Sequence, residues 1–480
     1  MRWLRASWRW FDERTGLSTF IVPIAEHPVP AGTTGGRSGW MYVLGAATLA
    51  AFISQVVTGI ALAMAYVPSA ANAYDSISFI SNDFTLGRVL RGAHFFGASA
   101  MVICIGLHMA RVYLTGSYKY PREVNWLTGT VLLALTVLMA FTGQLLRWDQ
   151  DGVWSVVIAA EQAGRVPLIG QLLAHFILAG ETIGAATLSR FFAFHVFFIP
   201  ALIFATLGFH LYLVLHNGIS EPPRAGRPVD RRRYRAWYDG LLRREGRPYW
   251  PDGAWHEVLV GGLLIVLVVA LGIIFGPPHL GKPPDPSIIE ANPRPDWYLL
   301  WYFALLALLR PGIEDYVIVL APLLFFVVLI LVPFLAGTGE RSPTRRPWAV
   351  GVVLASVLLV GGLTIEGERS PWAPRFDAKP ISATQLGSSD PMVAQGAALY
   401  HDKGCEYCHA IDGQGGIRGP DLSHIADRLT GGDMAAIIAR GVGTMPAYAN
   451  TLTPTELNEL VAFLSTRTQR RQQPSTAQQR

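Results

Sequence analysis

The sequence predicts an all-α protein, a transmembrane helical bundle of about seven spans followed by a small all-α domain. Three observations predict it. Of the 480 residues, 51% are hydrophobic and only 15% charged. The apolar residues gather in seven runs, each close to the roughly 20 residues that cross a bilayer as a helix. From residue 391 onward the composition returns to that of a soluble domain.

Taken in order, the chain starts with "MRWLRASWRWF", an amphipathic stretch expected to stay on the cytoplasmic side. The first apolar run, about 40–66, is too long for a signal-peptide core and no small-residue cleavage site follows it, so it is expected to remain as a span. The others lie at about 88–113, 125–146, 191–215, 256–276, 316–336 and 347–364. The net charge of +5 is spread unevenly. After the fourth run, "GISEPPRAGRPVDRRRYRAWYDGLLRREGRPYWPDG" holds nine arginines, at 224, 227, 231, 232, 233, 235, 243, 244 and 247. A basic patch for nucleic acid would look similar, but a loop between spans follows the positive-inside rule, which puts it in the cytoplasm and leaves no nucleic-acid partner. Arg111, Lys119 and Arg122, and then Arg341, Arg345 and Arg346, fall in loops on the same side. Seven crossings from an inside start carry the C-terminus out, to the periplasmic face of a bacterial inner membrane.

That outer tail contains "KGCEYCHA". In C-x-x-C-H the thiols of Cys405 and Cys408 add to haem vinyl groups and His409 ligates the iron, the pattern of a covalent haem c. The chain's three cysteines cannot make a disulfide framework, and Cys104, alone in an apolar run, reads as packing. "TPTELNELVAFL" supplies a closing helix with Thr453 as cap, Pro454 in the first position and Glu456 completing a capping box. Residues 366–390 read as a linker.

The membrane runs carry histidines at matched spacing. His94 and His108 are fourteen apart in the second run, and His195 and His210 fifteen apart in the fourth. At about 100° and 1.5 Å per residue, each pair returns to nearly one helix face, about 21 Å apart. Two facing helices of this kind would hold two stacked haem b groups, giving a four-helix dihaem core. A lone histidine on an apolar helix is usually a satisfied core residue, but four at matched spacing in lipid are costly unless they bind something. Arg91 lies one turn before His94 and Arg111 one turn after His108, where haem propionates would point. Arginines snorkelling to the two interfaces would give the same pattern. Gly45 and Gly59, and Gly129 and Gly143, repeat at fourteen. Glycine commonly permits close helix packing, and here the repeat matches that of the haems, which favours space for the macrocycle edges.

The segments "WMYVLGAATLAAFISQVVTGIALAM", "LHMARVYLTGSYKYPREVNWLTG", "GQLLRWDQDGVWSV" and "ATLSRFFAFHVFFIPALIFATLGFHLYLVLHNGIS" resemble the cytochrome b of cytochrome bc complexes, most closely its b6 branch. Residues 250–365 resemble the companion subunit IV fused in frame, with the family's P-E-W-Y motif present as Pro295, Asp296, Trp297 and Tyr298. The tail resembles a class I cytochrome c, with Met445 of "GVGTMPAY" in the place of the axial sulfur ligand. The resemblance implies a dihaem membrane domain over 1–220, a three-helix domain with the quinol loop over 221–365, and a cytochrome c domain over 391–480 with a polar end. It pairs His94 with His195 at the outer haem b and His108 with His210 at the inner one. It also implies a Rieske iron-sulfur partner, a cytochrome c or other acceptor, and a homodimer. The partner must be another chain, because a Rieske centre needs two cysteines and two histidines and no cysteine remains for it here.

Departures from the family pattern are informative. Val43 stands where chloroplast-type b6 has a cysteine that tethers a further haem. Arg147 replaces the proline of the family's P-W-D-Q stretch. Asp296 replaces glutamate, the form similar to that of many menaquinol-using members, which makes menaquinone the expected substrate. Oxidising a quinol releases two protons, so Asp296 is expected to accept one at the outer surface with Tyr298 as a second polar contact. A helix cap or loop ion pair is the structural alternative for Asp296. His216, just past the last haem ligand, is expected either to contact quinone or carry a proton at the inner side, or to be a solvated interfacial histidine. The implied activity is a quinol–cytochrome c reductase. A linear, quinone-linked membrane anchor passing electrons through haem c is the second reading, and a passive docking cytochrome the third. The outer proton-accepting loop argues against the second, and fusion to a full quinone core against the third.

Overall fold

A backbone in lipid must satisfy its own hydrogen bonds, and these apolar runs do so as helices. The protein is described by a computed structural model covering residues 2–284, 294–309, 313–370, 378–381, 388–417, 419–442, 445, 447–449 and 451–468. Two helices, α1 (Arg2–Thr15) and α2 (Leu17–Ala25), come first. Among the described residues seven helices are long and apolar enough to cross a membrane. In chain order they are α3 (Leu44–Ala63), α5 (Gly87–Leu114), α6 (Glu123–Leu145), α9 (Ala185–Asn217), α11 (Tyr249–Ile274), α13 (Glu314–Ala336) and α14 (Pro347–Arg369). Shorter helices occupy the connections: α4 (Ala73–Asn82), α7 (Gln150–Gly164), α8 (Gly170–Leu178), α10 (Tyr234–Glu245) and α12 (Leu300–Ala307). The tail adds α15 (Pro391–Asp402), α16 (Gly431–Arg440) and α17 (Pro454–Ser465).

The chain divides into two compact units, Met1–Ser287 with Asp315–Gly361, and Ile288–Glu314 with Gly362–Arg480. In the first, α3 packs on α5, α11 packs on both, and α6 packs on α9. Ala51, Phe52, Met101, Ile105, Ile199 and Ile203 form a buried apolar core between these helices. Their outward faces carry exposed leucine, valine and phenylalanine side chains, as lipid-facing helices do. A short antiparallel pair, β1 (Pro28–Pro30) with β2 (Gly246–Pro248), ties the N-terminal segment to the entry of α11.

The basic loop residues have a structural role that topology alone did not require. Lys119 donates to the carbonyls of Ala336 and Thr338, Arg346 to that of Tyr113, and Arg341 to that of Thr115. These carbonyls lie at the C-terminal ends of α13 and α5, where a helix has no amide of its own to offer and its dipole attracts cations. Burial, followed by the charges of Arg346 and Arg341, pushes the Lys119 ammonium down to about 8.

In the second unit, α15 and α17 cross closely over Val393, Tyr400, Leu460 and Phe463. A Cβ on Gly396 would meet the Glu459 carbonyl oxygen at 2.0 Å, so glycine is required at the crossing. The capping box at Thr453 and Glu456 forms as the sequence predicts, with Pro454 in the first turn. The expected linker starts within α14, which runs to Arg369; its residues 371–377 and 382–387 lie outside the described residues, as does the polar end from 469.

Candidate functional site

Each of the four membrane histidines faces a glycine. A Cβ on Gly59 would lie 3.2 Å from His94 Cε1, and one on Gly45 3.3 Å from His108 Cε1. On the other helix pair, the corresponding distances are 2.6 Å from Gly143 to His195 and 3.8 Å from Gly129 to His210. The glycine repeat of α3 thus admits the imidazoles of α5, and that of α6 the imidazoles of α9. The sequence reading gave this space to macrocycle edges; the structure gives it first to the rings.

Three of those glycines follow a threonine, and the threonines fix the rings. His94 Nδ1 lies 2.9 Å from Thr58 Oγ1, His210 Nδ1 2.8 Å from Thr128 Oγ1, and His195 Nδ1 3.2 Å from Thr142 Oγ1. Each hydroxyl donates its own hydrogen to a carbonyl one turn back, such as Ser54 O for Thr58 and Leu138 O for Thr142. The oxygen is therefore left as an acceptor and the imidazole as donor through Nδ1–H. That tautomer leaves Nε2 free to ligate a metal. The Met139 carbonyl supplies His195 with a second acceptor at 3.0 Å. Leu44 precedes the fourth glycine, Gly45, and offers no hydroxyl to His108.

The ring centroids of His94 and His195 stand 6.3 Å apart. Two imidazoles on one metal, each bonded at about 2.0 Å with its ring centre about 1.2 Å further, require about 6.4 Å. The pair therefore fits one iron. His108 and His210 lie within electrostatic reach of each other. Arg91 and Arg111 are both buried. Arg91 Nη1 donates to Ser81 Oγ at 2.8 Å, whereas Arg111 lies 3.7 Å over the Tyr42 ring with Nε and Nη2 unpartnered. A buried guanidinium with free N–H groups fits a carboxylate-bearing ligand such as a haem.

The spacing of His195 and His210 has a cause the sequence reading did not detect. Phe194–Phe198 form a single π-turn inside α9, immediately before Pro200. Proline has no N–H and crowds the carbonyl four residues back, so the helix widens there. A π-turn accommodates one extra residue. Fifteen residues across it therefore match fourteen in a plain helix, the spacing of His94 and His108.

In the second unit the Tyr298 hydroxyl donates to Asp296 Oδ2 at 2.7 Å at the start of a 3₁₀ turn, and Trp297 packs edge-on to Tyr298 at 5.6 Å. Burial, and next the Asp296 carboxylate, push the tyrosine hydroxyl far above its ordinary range, so it remains a donor. Pro295 precedes this pair outside any helix or strand. In the first unit Asp149 is fully buried, caps α7 through the Gly152 amide, accepts from the Gly281 amide at 2.9 Å and pairs with Arg147. The arginine that replaces the family's proline is thus the counter-ion of a buried carboxylate. His216 is exposed and stacks on Tyr212, and Val43 is buried.

In the tail, His409 Nδ1–H donates to the Pro420 carbonyl at 2.8 Å, which again leaves Nε2 free. A Cβ on Gly419 would come within 2.3 Å of His409 Cε1. Cys405 and Met445 border the same apolar core, and neither motif cysteine is held in a disulfide among the described residues. Burial pushes the Cys405 thiol up to about 12. The site thus offers two thiols outside any disulfide, an imidazole oriented by its carbonyl partner, and a thioether, the donor set a covalent haem requires.

The family "Cytochrome b/b6/petB" matches residues 34–218, and "Cytochrome b(C-terminal)/b6/petD" matches 283–384. Cytochrome b6 of Heliobacterium mobile is 41% identical over 214 residues, which is 44% of this chain and 99% of that protein. The chain belongs to the cytochrome b family. The "Menaquinol:cytochrome c reductase cytochrome b subunit" of Geobacillus thermodenitrificans is 37% identical over 217 residues, 44% of this chain and 96% of that one. A solved structure titled "Hyperthermophilic respiratory Complex III" superposes with a TM-score of 0.61 at 26% identity, covering 75% of this chain and 91% of its own. Residues 391–464 match "Cytochrome C oxidase, cbb3-type, subunit III", so this cytochrome b carries a c-type domain in the same chain. It is a multi-pass membrane oxidoreductase of electron transport whose domains imply haem b and haem c.

Thr58, Thr128 and Thr142 are the candidate site residues that the sequence reading missed. Their signal was present as three Thr-Gly pairs at the cradle glycines.

Proposed function

We propose that this cytochrome b is the catalytic core of a menaquinol–cytochrome c reductase in a bacterial inner membrane, with its N-terminus in the cytoplasm and its c-type domain outside. His94 with His195 and His108 with His210 would hold two haem b groups, and Cys405, Cys408, His409 and Met445 one haem c. When bound, these groups supply two one-electron routes from quinol, one through a Rieske iron-sulfur partner to haem c and one across the membrane to a second quinone. The observation that carries the reading is the coexistence in one chain of two glycine-faced histidine pairs and a C-x-x-C-H turn. The relatives' printed names support it. The complex is expected to be a homodimer that passes electrons to a further cytochrome c or similar acceptor.

The residues around Asp296 do the proton work. Tyr298 occupies Oδ2, which leaves Oδ1 to accept the hydroxyl proton of quinol and hand it to outer water, so that quinol oxidation releases protons outside. Asp296→Asn should slow quinol oxidation at least about tenfold with haem content unchanged; an unaltered rate across pH would remove Asp296 from the mechanism. The division of electrons is tested by an oxidant pulse given with quinol while the inner site is blocked. Haem b should become more reduced as haem c is oxidised, and joint oxidation would establish a linear relay instead.

A further inference from the structure

The cytoplasmic end of the bundle holds a polar run that the haem and quinol assignments leave unused. A cleft beside Gly32, Arg224, Arg227, Trp237 and Glu245 gives about 70 Å³ of room and ends at Glu221 and Arg341. That is space for several waters. The Glu221 side chain is 15% exposed. Its Oε2 accepts from the Tyr234 hydroxyl at 2.8 Å and its Oε1 from the Arg341 guanidinium. Arg122 Nη1 donates to the same Tyr234 oxygen at 2.8 Å. Two donors leave the carboxylate with unfilled acceptor positions.

Tyr42 lies within electrostatic reach of Glu221, Arg341 and Arg111. Its hydroxyl is buried beside Ser220, and its ring lies under Arg111, one turn past His108. Neighbouring Ser220 joins Ser117 at 2.7 Å, and Ser117 joins Thr115 at 2.8 Å, so this end of the core is lined with hydroxyls. Within electrostatic reach of a cleft-lining carboxylate and stacked under Arg111, the Tyr42 hydroxyl is suited to pass a proton to a bound oxygen atom.

We propose that Glu221 and Tyr42 form the proton-delivery line of an inner quinone-reducing site, fed from the cleft. The inference rests on the inner quinone reduction of the proposed function and names the residues that serve it. Reducing a quinone takes two electrons, which arrive by the transmembrane route, and two protons. In each proton step the Tyr42 O–H bond breaks as a bond to a quinone oxygen forms. Tyr42 regains its proton from the Glu221 carboxyl group, and Glu221 is reprotonated by cleft water. Arg341, Arg122 and Tyr234 hold the carboxylate in place, while Arg224, Arg227 and Glu245 set the charge of the entrance.

The test uses membranes containing the whole complex. Haem b is pre-reduced, a short-chain naphthoquinone is added, and haem b reoxidation is followed by stopped flow from about pH 6 to about pH 9, in H₂O and D₂O. Glu221→Gln and Tyr42→Phe should each slow reoxidation about tenfold or more and steepen its pH dependence, and Glu221→Asp should recover much of the rate. Haem content, read optically, shows whether each variant has assembled. If Glu221→Gln and Tyr42→Phe both assemble and reoxidise haem b with the wild-type rate and pH profile, the proposal is overturned. If only one variant slows, the two residues do not form one line and the proposal is likewise overturned. If the wild-type complex itself fails to reoxidise haem b with added quinone, the underlying inner-site reading fails instead.

Discussion

An imidazole that ligates through Nε2 needs an acceptor for its Nδ1–H, and Thr58, Thr128 and Thr142 provide one because their own hydrogens are committed to helix carbonyls. The histidines were legible in the sequence, since a polar side chain in lipid is costly and four at matched spacing are conspicuous. The threonines were not, because a threonine bonded to the preceding turn is ordinary in a membrane helix. Their role appears only when two helices are placed side by side. An acceptor on Nδ1–H makes the imidazole a stronger donor, which favours oxidised iron and lowers its potential. Thr58→Val should therefore raise the potential of one haem b by about 40 mV, the equivalent of one hydrogen bond of about 1 kcal/mol. Thr142→Val, acting on the opposite ligand of the same haem, should raise that potential by less, since the Met139 carbonyl remains at 3.0 Å from His195 Nδ1. Redox titration of each variant against the parent checks both values, and equal shifts would show that the carbonyl contributes nothing.

Among the helices, α9 shows where spacing arithmetic stops being sufficient. Its run of apolar residues and its two histidines were readable, but a plain helix would turn fifteen residues through about 60° beyond four full turns, against about 40° short of them for fourteen. The π-turn at Phe194–Phe198 absorbs the difference. No hydropathy pattern marks such a turn; Pro200 does, because its missing N–H and its ring force the ladder open. Pro200→Ala removes that cause. The helix should then tend to close into regular α-geometry, rotating His195 away from His94 and weakening the outer site. The expected result is partial loss of one haem b with haem c retained, measured as the b-to-c haem ratio in purified complex, and a full b complement would show that the π-turn is held by packing alone. The connecting helices α4, α7, α8, α10 and α12 were not read from the sequence, since each is shorter than a span and several are mainly polar. At α7 the decisive feature is Asp149, whose cap, loop contact and ion pair come together only in three dimensions.

The whole molecule joins a cytochrome b membrane domain to a c-type domain, and membrane topology decides whether the two can work in sequence. The seven spans were legible because lipid leaves so little choice of backbone structure. The second duty of these loop cations was hidden, since Lys119, Arg341 and Arg346 find their helix-end carbonyls only through tertiary contacts. On the proposed topology an odd number of crossings separates the arginine-rich segment 224–247 from the domain at 391–468, and covalent haem attachment at Cys405 and Cys408 would require that domain to be outside. Protease added to intact spheroplasts should cut within 366–390 and release a fragment carrying haem c, leaving both b haems in the membrane. Sites among residues 224–247 should become accessible only after the membrane is opened. Haem staining of the released and retained fractions reads the outcome directly. Cleavage at 224–247 in sealed spheroplasts would invert the orientation, placing the covalent haem on the wrong side of its own assembly and the Asp296 proton step on the wrong side for export.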